Sequence, residues 1–296
     1  MTHWKLTLAY DGTAFHGWQV QPGLATIQGT LADAIHRAIG ERVLPQGSGR
    51  TDTGVHALGQ VASFSVQAPI PPDRLQLALN RCLPPSIRVL SAEPVGAEFH
   101  ARHSALAKTY EYRIFPLRPL QDRLAYLSSG PNPSSSEYIC LPTLAPFVWP
   151  CPWPLFYTLL NRAAAHVLGT HDFTSFAASD PELSLRTQPA GSAFEPWDPA
   201  RAVAARTPVR TISRSEWRER EGLLVYTVTA TGFLHHMVRN LVGTFVHCGA
   251  GRMDSNAIPQ LLAARDRSLS GPTAPASGLF LLSVEYPQSQ PHPPLP

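Results

Sequence analysis

Cysteine is scarce. Four of the 296 residues are Cys, at positions 82, 140, 151 and 248. No two of them form a Cys-x-x-Cys pair or a zinc-type spacing, which argues against a zinc ribbon and a disulfide scaffold. Charge is scarce as well: Asp, Glu, Lys and Arg make up 15% of the chain, where about a quarter is usual. A chain held open by its own charge is thereby excluded. Lysine is almost missing, with Lys5 and Lys108 set against 22 arginines. No apolar run approaches the length of a membrane span, and the start MTHWKLTLAYDG has neither a basic opening nor an apolar core of the signal-peptide kind. The expectation is a reduced, cytoplasmic protein with no membrane partner. Walker, Rossmann and Gly-x-Ser-x-Gly signatures are also missing, which removes the commonest nucleotide-binding and hydrolase readings.

What is present is enough for a core, since 44% of residues are hydrophobic. The net charge of +3 is too small to announce a polyanion binder by itself. Proline stands out, with 30 residues, about twice its usual share. The prolines cluster in 116–154 and in the tail from Pro287, which reads as disordered. The stretch 179–206 reads as a second irregular insertion.

Period-2 alternation in WKLTLAYD puts Trp4, Leu6, Leu8 and Tyr10 on one face of a strand. A helix follows over 27–39, with Thr26 as its N-cap and Gly40 as its stop. Strands are predicted at 60–66, 87–93, 109–115, 208–217, 223–231 and 279–286. Helices are predicted at 73–83, 155–168, 236–248 and 256–265. This order lacks a regular β-α-β rhythm, so the expected class is α+β with an antiparallel sheet. The chain divides near 104–108, into residues 1–107 and 108–286.

Four strings carry chemistry. In Gly49-Arg50-Thr51-Asp52-Thr53-Gly54-Val55-His56, glycines let backbone approach a ligand. Arg50 beside Asp52 suits a carboxylate kept ionised as a nucleophile or base. An Asx-turn aspartate with Arg50 as its solvent-side partner fits the same residues. In Phe233-Leu234-His235-His236-Met237-Val238-Arg239-Asn240, Arg239 lies in an apolar helix and needs an anion if buried, either Asp52 or an RNA phosphate. If it instead faces the helix's polar side, it needs none. The adjacent histidines lack a nearby acidic residue and an i, i+4 spacing, so capping or core roles are expected and no metal. Lys108-Thr109-Tyr110-Glu111-Tyr112 offers either core tyrosines or a base-stacking platform. Gly169-Thr170-His171-Asp172-Phe173-Thr174-Ser175-Phe176 reads as a turn with two core aromatics, although a hydrolase on His171, Asp172 and Ser175 is conceivable.

Taken in order, YDGT with GWQ, GRTDTGVHA, KTYEY, HDFTSF, FLHHMVRNLVG and APASGLFL resemble the tRNA pseudouridine synthase A family across about half of the chain. The resemblance implies two similar α/β domains meeting at a basic central cleft. It also implies a homodimer with no cofactor and no metal. The implied reaction converts uridine to pseudouridine in the tRNA anticodon arm, at tRNA positions 38 to 40. By the same resemblance Asp52 is the catalytic aspartate, Arg50 its companion, Tyr110 the tyrosine that stacks on the target base and Arg239 the arginine that pairs with the aspartate. His56, Lys108, Arg102, Arg210 and Arg214 are the further expected substrate contacts. A binding-only RNA chaperone on the same fold is the competing expectation; the retained Asp52 weighs against it.

Overall fold

The computed structural model describes residues 1–118, 138–178 and 207–287. The expected insertion at 179–206 and the tail beyond Pro287 lie outside the described residues, as do residues 119–137 of the Pro-rich stretch. The N-terminal half contributes β1 (Thr2–Tyr10), α1 (Ile27–Ile39), β2 (Gln46–Gly47), β3 (His56–Val66), α2 (Pro72–Cys82) and β4 (Ile87–Val95). Next come β5 (Ala107–Pro116), β6 (Trp149–Cys151), α3 (Tyr157–Ala165) and β7 (Gly169–Asp172). The chain then adds β8 (Val209–Arg220), β9 (Leu223–Ala230), α4 (Met237–Gly249), α5 (Ile258–Ala264) and β10 (Leu279–Glu285).

The local reasons are the expected ones. Thr26 caps α1 by accepting from the Gly29 amide, and Gly40 ends it in the left-handed region at φ 81°. Glu221 and Gly222, both at positive φ, close the β8–β9 hairpin as a two-residue primed turn requires. Trp4, Leu6, Leu8 and Tyr10 are all buried on one face of β1. Each such side chain contributes roughly 1.5–3 kcal/mol through burial. Among the described residues no helix is long and apolar enough to cross a membrane.

The two halves share one sheet, with strand order β4-β1-β3-β10-β5-β9-β8-β7, where β2 adds to β3 and β6 to β5. The α+β class is as expected, and the strands of both halves form one sheet because the last strand bridges them. β10 runs parallel to β3 at Phe280↔His56 and Leu281↔Ala57, and antiparallel to β5 from Leu279↔Tyr112 onward. On β5, Glu111 is nearly fully buried, and Arg113 (2.6 Å) and Arg220 (3.0 Å) neutralise it. The Arg113 guanidinium also lies 3.9 Å from the Phe280 ring centroid, which ties β5 to β10.

Parallel strands begin at the same end of a sheet. The segments leading into β3 and β10 are therefore neighbours, and a Cβ on Gly54 would stand 3.4 Å from that of Ala276. The lead-in to β10 also lies against the backbone of α4. A Cβ at Gly243 would come 1.7 Å from the Pro272 carbonyl oxygen. Gly243→Ala should thus destabilise the protein by about 1–3 kcal/mol through forced separation of loop and helix. Urea unfolding monitored by circular dichroism measures it; an unchanged midpoint would show that the contact is not needed.

Candidate functional site

The sheet junction opens into a cleft of about 1470 Å³, bordered by the 49–55 loop, β5 and the segment leading into α4. The 49–55 loop is held from behind. Tyr10 and Thr51 share a hydroxyl–hydroxyl bond of 2.8 Å, and the Trp18 amide donates to the Thr51 carbonyl at 3.0 Å. Gln60 donates to the Gly49 carbonyl (2.9 Å) and accepts from the Ser48 hydroxyl (2.7 Å). Gly17, at φ 81°, sits where a Cβ would be 2.5 Å from the Thr51 oxygen. The YDGT and GWQ strings thus supply the bed on which the GRTD loop lies.

Asp52 projects from this loop and meets Arg239 across the junction, with Arg239 Nη1 donating to Oδ2 at 3.0 Å. The guanidinium has a second anchor, since Nε donates to the Ala274 carbonyl at 2.8 Å. In return the Ala274 amide donates to the Arg239 carbonyl at 3.1 Å. Ala274 is held through Asn240, a fully buried residue whose Oδ1 accepts from Arg267 (3.0 Å) and Thr273 (2.7 Å). The amide of Asn240 donates to the Phe176 carbonyl at 2.8 Å. The APASG, HDFTSF and HHMVRN strings are therefore joined around the orientation of one arginine.

Of the two partners open to Arg239, the structure selects Asp52. The Arg239 guanidinium lies at ion-pair distance from Asp52. Arg50 lies exposed on the cleft wall. Tyr110 also lines the cleft, 8% exposed, with Phe233 edge-on at 5.0 Å. Burial, then the nearby Tyr10 and Asp52, push its phenol well above the ordinary value. It is consequently a neutral wall at physiological pH and poorly suited to act as a base.

Lys108, Arg102 and Arg210 line the cleft near Arg50. The Lys108 ammonium donates to the Ser48 carbonyl. Burial, with Arg102 and Arg210 adding repulsion, lowers its pKa to about 8. Arg214 does not line the cleft; Glu216 holds its guanidinium on the β8 surface at 2.5 Å. His56 does not line it either. Its ring is 1% exposed, stacked 4.7 Å from Phe280. His56 Nδ1 accepts from the Gly12 amide (3.1 Å), and Nε2 faces the Pro146 carbonyl (3.1 Å) as a donor. Burial lowers its pKa, and the ring is a neutral strut. His56 starts β3, where it pairs with Phe280, so it faces inward while Asp52 four residues earlier faces out.

The hydrolase arrangement does not form. Ser175 is fully buried, and its hydroxyl donates to Leu261 (2.5 Å) and accepts from the Asp266 amide (2.8 Å). Asp172 pairs with Arg265 at 3.0 Å.

Sequence reasoning missed His235 and His236 as site residues. His236 occupies the N-cap position of α4 but makes no side-chain capping bond, and neither histidine is in the core. Their Nε2 atoms lie 3.8 Å from Asp52 Oδ1 and 3.3 Å from Oδ2 respectively. Burial lowers the His236 pKa, Asp52 opposes the shift, and His235, Arg239 and Arg267 reinforce it. Asp52, His235 and His236 are also the described group whose ligand atoms converge closely enough to hold a metal. The doubled histidine was the available signal; the acid that completes it is remote in sequence.

The family model described as tRNA pseudouridine synthase matches residues 7–104 and 191–287. The tRNA pseudouridine synthase A of Solibacter usitatus is 44% identical over 95% of this chain and 98% of its own. That of Moorella thermoacetica is 40% identical over 95% and 98%. That of Lacticaseibacillus casei is 38% identical over 97% and 100%.

A polyanion that sits against Lys108 needs its ammonium form. Binding of a short polyphosphate should accordingly be strongest below about pH 8 and weaken as pH rises through that value. Lys108→Arg should remove this step while keeping binding. A titration by fluorescence anisotropy between pH 6.5 and 9.5 reads it (a range of about three units around the shifted value). A wild-type profile that is flat there would count against the cation's role.

Proposed function

This chain belongs to the tRNA pseudouridine synthase family, and we propose that Asp52 is the carboxylate with which it isomerises uridine to pseudouridine in tRNA. The observation that carries the reading is the Asp52–Arg239 pair at the floor of a basic cleft, 3.0 Å apart, with Tyr110 beside it. The reaction breaks the C1′–N1 bond, turns the uracil and joins C5 to C1′; the C5 proton is then lost. N1, freed from the ribose, takes up a proton in exchange, so substrate and product are isomers and no redox step is involved.

Hydrolysis of ordinary glycosides uses a second carboxyl group to protonate the leaving oxygen. A uracil anion instead spreads its charge over ring oxygens, which backbone amides can stabilise. One carboxylate is then enough, acting at C1′ as a nucleophile or at C2′ as a base. Arg239 orients it, because its second anchor on Ala274 leaves the guanidinium little freedom. Tyr110 and the edge-on Phe233 form the wall against which the detached base stacks and turns, and the neutral phenol adds no repulsion to a uracil anion. The target nucleotide must first leave its stack, at a cost of a few kcal/mol. Phosphate contacts from Arg50, Arg102, Lys108 and Arg210 offset that cost and make binding salt-dependent.

The finer reading is that the substrate is the anticodon arm, at tRNA positions 38 to 40, and that the enzyme is a cytoplasmic homodimer. One subunit then grips the tRNA body while the other acts. Among the alternatives, a binding-only chaperone has no use for a carboxylate clamped in a cleft.

Tritium release from tRNA labelled at uridine C5 tests the assignment. Asp52→Ala should lower release by about 10⁴-fold or more and keep tRNA binding. Residual release near the wild-type rate would remove Asp52 from the mechanism. Arg239→Lys keeps the charge but not the two-point anchor. It should therefore lose kcat by about 10–100-fold with little change in KM. A variant altered in KM alone would place Arg239 in binding. EDTA should leave turnover unchanged if tRNA folding is maintained.

A further inference from the structure

We propose that Asp52, His235 and His236 form an inhibitory site for a borderline divalent ion of the zinc class, which caps the catalytic carboxylate. The inference rests on the functional reading of Asp52 but concerns a ligand that the reaction does not use.

Three features converge. The first is spacing. The three side chains each present one ligand atom, all within 4.8 Å of one another, with His236 Nε2 3.3 Å and His235 Nε2 3.8 Å from the carboxylate oxygens. A tetrahedral zinc ion with bonds of about 2.0–2.1 Å sets its ligand atoms about 3.3–3.4 Å apart. Closing the set needs movements of only a fraction of an ångström to about an ångström, within the reach of side-chain torsions. The second is backbone. His236 stands at φ 57°, ψ 4° just before α4, a left-handed conformation that is strained for a non-glycine residue. It lies beside its neighbour, with ring centroids 4.0 Å apart, and both Nε2 atoms reach the same carboxylate. The third is access. The side chains of His235, His236 and Asp52 are 33%, 27% and 22% exposed, and all three border the cleft. An ion arrives from water, and the fourth coordination position remains for a water molecule.

Arg239 decides what kind of site this is. Its guanidinium holds Oδ2 at 3.0 Å, so a dication enters against a positive charge and binds less tightly than at a structural zinc site. The result is a reversible occupant. Imidazole pairs favour Zn²⁺, Co²⁺ and Ni²⁺, whereas Mg²⁺ and Ca²⁺ prefer oxygen ligands. The Mg²⁺ that folded RNA requires should not compete. An ion held there blocks the carboxylate from the ribose, so zinc stops turnover while EDTA alone leaves the metal-free enzyme active.

The test reads metal binding without tRNA, so its outcome is separate from that of the catalytic assignment. Apoprotein is titrated with Co²⁺ and followed by its visible d–d bands, and with Zn²⁺ by calorimetry, in Mg²⁺-containing buffer. The wild type should bind one ion at this site, with tetrahedral-type bands. The pair His235→Ala/His236→Ala should lose about tenfold or more in affinity, as should the near-isosteric Asp52→Asn, with folding checked by circular dichroism. His100→Ala/His103→Ala, which removes the other close histidine pair on the cleft (ring centroids 4.3 Å apart), should bind as the wild type does. In tRNA assays Zn²⁺ should abolish wild-type tritium release, and EDTA should restore it. The proposal is overturned by the absence of a Co²⁺ spectrum in the wild type. Undiminished binding after removal of both 235 and 236 imidazoles, or loss of binding in the 100/103 variant, overturns it equally.

Discussion

The hydrogen-bonded ion pair between Asp52 and Arg239 joins residues 187 positions apart, and the site's architecture is arranged to permit it. A partly buried pair of this kind gains little net stability, because desolvation offsets the Coulomb attraction. Its value is geometric. Asp52 is set by a loop bolted onto the 10–18 segment. Arg239 is set by the Ala274 carbonyl, and Ala274 by the network around Asn240. The parallel start of β3 and β10 brings the two lead-in loops to the same end of the sheet. Without that short parallel register, the carboxylate and the guanidinium would belong to different surfaces.

Electrostatics in the cleft runs against stability and toward binding. Lys108 has its pKa lowered to about 8 by burial and by Arg102 and Arg210, so the charged ammonium is costly in the free protein. An incoming phosphate repays this by supplying the counter-charge, which makes the cleft a better acceptor of polyanion than its net charge of +3 suggests. Among the described residues that line the cleft, the Asp52 carboxylate is the exception to its sign. It faces the Arg239 guanidinium and the imidazoles of His235 and His236, surroundings that fix its orientation and, on the proposal above, let a borderline dication compete for it.

The tyrosines illustrate how burial assigns roles. Tyr110 and Tyr112 share a strand face, yet Tyr112 donates to the Pro275 carbonyl at 2.7 Å and braces the lead-in to β10, while Tyr110 reaches the cleft. Both phenols are pushed upward by burial. Tyr112 is a strut and Tyr110 a face of the cleft, although the pattern of apolar positions treats them alike.

Element positions were largely legible in the chain, because they follow from local causes: alternation in β1, Thr26 and Gly40 around α1, and the Glu221-Gly222 turn. The short β6 and β7 were not, since strands of three and four residues exist only by pairing with β5 and β8. The motif order also pointed to Asp52, Tyr110 and Arg239, and to a cleft rich in arginine. What tertiary structure alone decided is which groups meet. It gave Asp52 to Arg239 and left Arg50 on the wall, turned His56 inward against Phe280, sent Arg214 to Glu216, and moved His235 and His236 from expected core or cap to the carboxylate. Composition and periodicity are properties of neighbours along the chain, whereas direction and partnership depend on strand register and on backbone angles set by contacts many tens of residues away.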